Sequence, residues 1–559
     1  MIRSTFAGFS NALSAIQANQ KRMDIIGQNL ANMNTAGYTR QQLEVSSLNY
    51  IGPVSHLTNG SDVTVGFGVS MNRVSQIRDP YLDVQYRSQI NRSAYTGAMQ
   101  TALDSLSTFL DESNIDGLHT ALLDIQTTLT NMQDPAKVND PAIEGELRNR
   151  MRTLTDLLNS AARDINTAQE NELARLDGAG SSENGAVNRV NDLLQQIGDL
   201  NIQIKNNQVI GQSSLELQDN RNLLLDELAS YIPIEISYKK DAEHTGFEYD
   251  AKGNIIGKKE WPDDLIVKMA YTDSSGVTQK MTLVNGSEGG KGNNYGRLEM
   301  DFNSSPDGQA AAGDPDAEID PLTAAIKFIA AASSGDPDTL ASAWDSQFKD
   351  GSIQASLDML GKKGTGDPIS GSATTDDIRG YQYYMEQLNT LAKSFTDSMN
   401  AINKTGIQGD PPANTDPYEL LGYDPDNAAL TIGITADWIS GAVHIGKSGE
   451  SSTDNVINLL KNMTDKQSSL GNKTFASFIG NVSTILANDS SSNQNALKTN
   501  VTVLNSIQDS RDSISGVSLD EEAANLMAYT SAYNAASRLM TALDEALNTL
   551  INNTGLVGR

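Results

Sequence analysis

Both ends of this 559-residue chain carry apolar residues at alternating steps of three and four, and any fold it adopts must leave those two stripes something to pack against. At the amino end the stripe is Phe6, Phe9, Leu13, Ile16, Gln20, Met23, Gly27 and Leu30. At the carboxy end it is Leu519, Glu522, Leu526, Tyr529, Tyr533, Ala536, Met540, Leu543, Leu547 and Leu550. Gln20 and Gly27 weaken the first and Glu522 breaks the second, yet both predict helices with one apolar face. A single helix of that kind is marginal in water. The matching periods therefore predict a discontinuous terminal coiled-coil unit, residues 1–34 plus 518–559. Its assembly interface would be Phe6, Phe9, Leu13, Ile16, Met23, Leu30, Leu519, Leu526, Tyr529, Tyr533, Met540, Leu543, Leu547 and Leu550. The carboxy stripe around Leu543 is expected to meet the amino stripe around Leu13 and Ile16 once subunits assemble.

Between the ends the period stays helical from about Met99 to Leu228, with one stripe running Leu147, Met151, Leu154, Leu158, Ala161, Ile165 and Ala168. Asp134-Pro135 and Asp140-Pro141 bracket a short connection, and the run from Gly178 to Gly185 marks a second break. A further stripe, Ile378, Tyr381, Met385, Leu388, Ala392, Phe395, Met399 and Ile402, completes a bundle from the far side of an insertion. From about Ile232 the period falls to two, in Ile234-Ile236-Tyr238, Leu265-Val267-Met269-Tyr271 and Leu298-Met300-Phe302. The fold class expected is mainly α with an inserted antiparallel β-domain. The helical bundle takes residues 35–231 plus 367–517, with short strands such as Leu430 to Ile434, and the outward β-rich insertion takes 232–366. Gln309 to Leu340 reads as part helix, part loop.

Composition narrows the chemistry. Forty-one Lys and Arg against 70 Asp and Glu give a net charge of −29, which repels phosphate backbones and anionic headgroups. No nucleic acid and no membrane partner is expected. There is no cysteine, so disulfides, thiol nucleophiles and Cys-ligated metals are excluded together. The four histidines, His56, His119, His244 and His444, are too far apart in sequence to form a local metal pair. At about 150 residues per compact unit the length implies roughly four units. The first residues lack the apolar core of a cleaved signal, and no segment approaches the ~20 apolar residues of a membrane span.

Two strings imitate catalytic or metal motifs. Gly441-Ala-Val-His-Ile-Gly-Lys447-Ser448 satisfies a phosphate-loop pattern, but the Gly-Glu-Ser-Ser that follows is a poor helix start and no βαβ frame surrounds it. Asp314, Asp316, Glu318 and Asp320 alternate like a calcium loop, but Ile319 takes the place of the required Gly. Neither supports an enzyme or a cofactor.

Two motifs at the inner ends of the terminal helices are sharper. Asn29 to Arg40 reads Asn-Leu-Ala-Asn-Met-Asn-Thr-Ala-Gly-Tyr-Thr-Arg, with Gly37 suited to a left-handed cap. Ser515 to Leu526 reads Ser-Gly-Val-Ser-Leu-Asp-Glu-Glu-Ala-Ala-Asn-Leu, with Ser518 and Glu521 at capping-box spacing. Through Ala31, Asn32, Thr35, Gly37, Tyr38 and Arg40 the first resembles the element shared by bacterial flagellar axial proteins. Through Ser515, Gly516, Val517, Leu519, Asp520, Glu521 and Glu522 the second resembles that of the hook-filament junction branch. Leu217 to Leu228 and Tyr384 to Asn400 are similar to further family elements, whereas Ala36 stands where the family commonly has Pro and Asn222 where it often has Asp.

The resemblance implies a non-enzymatic structural subunit, exported by the flagellar type III pathway and extracellular in the flagellum. Its implied partners are itself, in a ring-like homo-oligomer, hook protein, the next hook-associated protein, and a cytoplasmic export chaperone on the carboxy-terminal helix. A hook or filament subunit is the alternative within the family, and a phosphate-loop nucleotide-binding protein the alternative outside it.

Overall fold

The computed structural model of the chain describes residues 5–48, 68–109, 112–177, 185–239, 246–249, 255–259, 264–272, 278–301, 325–335, 339–343, 350–361, 379–406, 418–446 and 452–553. Helix α1 (Thr5–Ala31) leads into an antiparallel pair, β1 (Gln41–Ser47) and β2 (Val69–Gln76), bulged between Glu44 and Val45. The helical body follows: α2 (Pro80–Phe109), α3 (Glu112–Asn131), α4 (Pro141–Asp177), α5 (Ala186–Val209) and α6 (Leu215–Tyr231). Two of these start at proline, which needs no N–H in the first turn. In each, the Asp before the proline supplies the cap: Asp79 Oδ1 accepts from Tyr81 N at 2.9 Å and Asp140 Oδ1 from Ala142 N at 2.9 Å.

The β insertion holds β3 (Glu235–Tyr238), β4 (Gly246–Tyr249), β5 (Ile255–Lys259), β6 (Leu265–Thr272), β7 (Thr278–Asn285), β8 (Arg297–Asp301), β9 (Ala325–Ile329) and β10 (Thr339–Ala343). Every pairing is antiparallel, in the orders β3-β6-β7, β10-β9-β8 and β4-β5. Leu265, Val267 and Met269 point into the core as the period-two pattern requires. The chain then returns through α7 (Ser352–Gly361), α8 (Tyr381–Gly406), β11 (Leu421–Gly422), α9 (Ala428–Thr431), β12 (Gly433–Ile434), α10 (Ala436–Ser440), α11 (Asp454–Thr464), α12 (Phe475–Ser515) and α13 (Leu519–Asn553). The architecture is mostly helical with an inserted antiparallel β region. The long terminal helices α1 and α13 pack along each other, and α12 packs along α2.

One continuous apolar cluster runs from Met99 to Leu486 and joins the helical body to the inner faces of β6, β7, β8 and β9. Every residue of the Leu147-to-Ala168 stripe is buried in it. Of the stripe on α8, Tyr381, Leu388, Ala392, Phe395 and Met399 are buried, and Ile378 lies outside the described residues.

Three local readings change. Ser352–Gly361, inside the segment expected to be β-rich, is a helix buried on all sides among α2, α4, α6 and α8. Its polar residues Gln354, Ser356 and Asp358 are buried along with the apolar ones, so no solvent-facing stripe marks it in sequence. The described parts of Gln309 to Leu340 are strand and turn rather than helix, because β9 pairs with both β8 and β10. Leu430 belongs to the single helical turn α9, and only Gly433 and Ile434 of that stretch form a strand.

Candidate functional site

The two sharp motifs are nearly 500 residues apart in sequence and meet in space. Asn29, 1% exposed near the end of α1, is the centre of their meeting. Its Oδ1 accepts from Gln41 N at 3.0 Å and from Tyr38 OH at 2.9 Å. Its Nδ2 donates to Gln41 O at 3.0 Å and to Glu522 Oε1 of α13 at 3.2 Å. The carboxamide thus engages both backbone groups of Gln41 as a neighbouring strand would, and has a bond left for each helix's motif. Burial pushes the Tyr38 hydroxyl up to about 12, with Asp219, Glu216 and Glu522 adding to the effect. Burial likewise raises the Glu522 carboxyl above the ordinary range, against the bond from Asn29 and the charge of Arg40.

Around this centre the motif residues take distinct places. Ala31 ends α1, and the turn after it is held by Asn32 Nδ2 donating to Gln28 O at 3.0 Å and by Thr35 N donating to Asn32 O at 2.9 Å. Gly37 has φ +76°, and a Cβ there would lie 2.4 Å from Leu223 Cγ of α6, so the turn sits directly on the body. Arg40 N donates to Ser515 O at 2.9 Å and its guanidinium pairs with Glu521. Gly516, between α12 and α13, leaves no room for a side chain: a Cβ would lie 2.4 Å from Asp512 O. Val517 is half-buried, and Leu519 and Asp520 are exposed. Ser518 Oγ accepts from Glu521 N at a long 3.5 Å.

Below the motifs an ionic cluster ties the same turn to the body. Asp219 of α6 accepts from Thr39 Oγ1 at 2.7 Å and Thr39 N at 3.2 Å. Burial holds its carboxyl above the ordinary range despite those bonds and the nearby Arg78. Arg78 pairs with Asp83, the NH2–Oδ1 bond being 3.0 Å. Burial opposes the Arg78 charge, and Asp83, Asp226 and Asp219 together outweigh it. Asp226 accepts from Arg87 Nε at 2.8 Å and from Arg511 NH1 of α12 at 2.7 Å. Arg511 also stacks 3.9 Å over the Tyr86 ring. Asn222 is itself an acceptor, from Arg87 at 3.2 Å. A polar cleft of about 590 Å³ opens between the Gly37 turn, α6 and the end of α12. Sequence spacing missed Asp83, Arg87, Asp226 and Arg511, because charges that pair across three separate helices have no sequence period.

The terminal helices run antiparallel from this joint. Glu522 faces Asn29, Tyr529 lies under Arg22 at 5.0 Å, the Thr530 hydroxyl reaches Met23 Sδ at 3.5 Å, and Leu543 lies 3.1 Å from where a Gly8 Cβ would be. Within one chain, then, Leu543 faces Gly8 and not Leu13 or Ile16. Ala12, Ala18, Asn19, Ile25, Ile26 and Asn29 are buried on α1, a face displaced by one to two residues from the apolar stripe. The buried face is a shared one, because α1 packs on β1 and β2 as well as on α13. Of the α1 stripe, Leu13 is 49% exposed while Phe9, Ile16, Met23 and Leu30 are half-buried. The Phe6 side chain lies outside the described residues. On α13, Tyr529, Tyr533, Met540, Leu543 and Leu547 are half-buried, and Leu519, Leu526 and Leu550 are exposed.

Neither imitated motif forms a site among the described residues. In the phosphate-loop string, Lys447 and Ser448 lie outside them. Residues 441–446 form a loop pinned to α4 by buried Glu144, which accepts from Trp438 Nε1 at 2.9 Å and Ile445 N at 3.3 Å and lies 3.2 Å from His444 Nδ1. His444, read from the sequence as outside any local metal pair, has Glu144 beside it. Asp314, Asp316, Glu318 and Asp320 lie outside the described residues, and among the described ones no group of three or more His, Asp or Glu could hold a metal. No described helix is long and apolar enough to cross a membrane.

Comparison with known proteins follows the same geometry. Residues 91–255 match a family model for the flagellar hook-associated protein FlgK helical domain. Residues 9–39 match one for flagella basal body rod protein, and 508–553 one for the flagellar basal body rod FlgEFG protein C-terminal. The last two fall on the helices that the joint brings together. The chain is 27% identical to flagellar hook-associated protein 1 of Bacillus subtilis over the whole of both chains. It is 24% identical to the Escherichia coli protein of that name, over 97% of this chain and 99% of the other. The solved hook junction protein FlgK of Burkholderia pseudomallei aligns over 61% of this chain and 47% of its own, at 17% identity and a TM-score of 0.38. At both termini and in the helical body, then, this chain is similar to the flagellar rod and hook axial proteins, and along its whole length it is similar to flagellar hook-associated protein 1.

Proposed function

We propose that the chain is the adaptor subunit between hook and filament, exported through the type III channel and assembled outside the cell as a ring-like homo-oligomer. Hook protein lies below it in this reading and the next hook-associated protein above. The observation that carries the reading is the state of the family-matched terminal helices. They pack on each other, yet leave Leu13, Leu519, Met527, Leu550 and Ile551 largely in water. Neighbouring subunits would cover those faces as a coiled-coil layer formed from residues 1–34 and 518–559. Before export a cytoplasmic chaperone would cover α13. Residues 35–231 plus 367–517 would form the body, and 232–366 the outward insertion. Antibody labelling of purified hook-basal bodies tests this: a single band at the distal end of the hook is expected, and label along the whole filament overturns it.

A further inference from the structure

We propose that Asn29 and Glu522 act together as a register lock for the terminal helix pair, choosing one antiparallel alignment among several that apolar packing alone would accept. Twenty-one residues separate Gly8 from Asn29, and the same number separate Glu522 from Leu543, so the pair holds one register along three heptads. Both stripes repeat every seven residues. Sliding α13 by one heptad would seat Leu550 over Gly8, again large on small, and Leu543 over Ala15 in place of Ala536, so both leucine layers would still meet a small residue of α1. The apolar layers therefore discriminate weakly between the two alignments.

The polar layer does discriminate. In the observed register the Asn29 carboxamide makes four hydrogen bonds, and the 3% exposed Glu522 receives one of them. After the slide Asn29 would face Tyr529, and Glu522 would lose its donor while still close to the joint. A buried carboxylate without a donor is costly, and a single polar residue at a core position of a helix pair is a well-attested way to fix register. Two of the Asn29 bonds go to the Gln41 backbone. The lock thus sets α13 relative to β1 and the body as well as to α1. Asn29 and Glu522 are positioning residues: they present the exposed apolar faces in one alignment.

The absence of cysteine makes the test clean. Gly8→Cys with Leu543→Cys reports the observed register, and Gly8→Cys with Leu550→Cys reports the slide. In the otherwise unaltered full-length monomer under mild oxidation, only the first pair should cross-link. Asn29→Leu should raise the ratio of slid to native product at least tenfold, and the same ratio in Asn29→Leu as in the parent overturns the proposal. Should Asn29→Leu abolish both products, Asn29→Leu with Glu522→Leu, which leaves no unpaired charge, decides. The slid product in that variant supports the lock, whereas native product alone, or neither product, overturns it.

Discussion

The helical body and the terminal pair are written in nearly the same sequence pattern and use it in opposite ways. In α4 the stripe from Leu147 to Ala168 is sealed inside the common core, and Ile165 is wholly buried. In α1 the stripe from Phe9 to Leu30 is left half in water, and the deeply buried positions include Asn19 and Asn29. A body helix is held by apolar surface removed from water, at about 25 cal/mol per Å². The terminal pair is held near the joint by directed bonds to Asn29, Asp219 and Arg40, and its apolar surface is left for other molecules. A heptad therefore says that a face is apolar without saying what covers it.

The largest test of that contrast is in the body. Phe395 is 1% exposed and meets Phe475 edge-on at 5.3 Å between ring centres. Phe395→Ala should cost about 3–5 kcal/mol in chemical denaturation, from lost transfer energy and the cavity left behind. A cost under about 1 kcal/mol would mean that the body is as loosely packed as the ends.

At the joint the expected effect is smaller and local. Gly37→Ala places a Cβ against Leu223 at φ +76°, where a left-handed residue other than Gly costs about 1–2 kcal/mol. Hydrogen exchange should quicken for the amides of Thr39 and Gln41, which are bonded to Asp219 and Asn29, and leave the α4 core unchanged. Adding Leu223→Ala should recover part of the loss, because it removes the clash and leaves the backbone strain. Unchanged exchange at Thr39 and Gln41 would separate the turn from the joint.

How much of this was legible depended on whether the information was local. The α4 and α8 stripes, the period-two strands and the Gly37 cap each depend on residues within one element, and each was readable. α7 was not, because it is covered on every side and its polar residues are buried with its apolar ones, which leaves no period. The joint was half legible: its two motifs stand out, but the partners Asp83, Arg87, Asp226 and Arg511 come together only when α2, α6 and α12 are packed. The displacement of the buried face on α1 has the same origin, since it is set by where β1, β2 and α13 pack on the helix and not by its own hydropathy.

A weaker test uses proton linkage. Burial raises the folded-state pKa of Glu522 above its ordinary 4.5, so the folded chain keeps a proton that the unfolded chain has released. Stability of the terminal pair should then fall as pH rises from 4.5 through the raised folded value, and level off above it. Asp219 is raised in the same direction, so the informative quantity is the difference between the parent and Glu522→Gln. The variant keeps an acceptor for Asn29 Nδ2 and should lose the Glu522 share of the slope. Parallel melting-temperature profiles for the two would show that Glu522 does not titrate with the pair's folding.

The smallest effect on folding is expected where the contrast between the regions is greatest. Leu13 lies on the terminal helix, 49% exposed, one position off the face that α13 covers. Leu13→Asp removes no fully buried contact in the monomer, and a surface substitution of this kind changes stability by about 0.5 kcal/mol or less. In an assembled layer the same side chain would be taken from water, where an unpaired carboxylate costs several kcal/mol. The monomer's unfolding midpoint should therefore stay within error of the parent while cells lose attached filaments and motility. Secretion has to be measured alongside, since a subunit that is not exported also gives bare hooks. If Leu13→Asp is exported and filaments stay attached, this face of α1 is not a subunit contact, and the apolar surface that assembly covers must be sought on α13 instead.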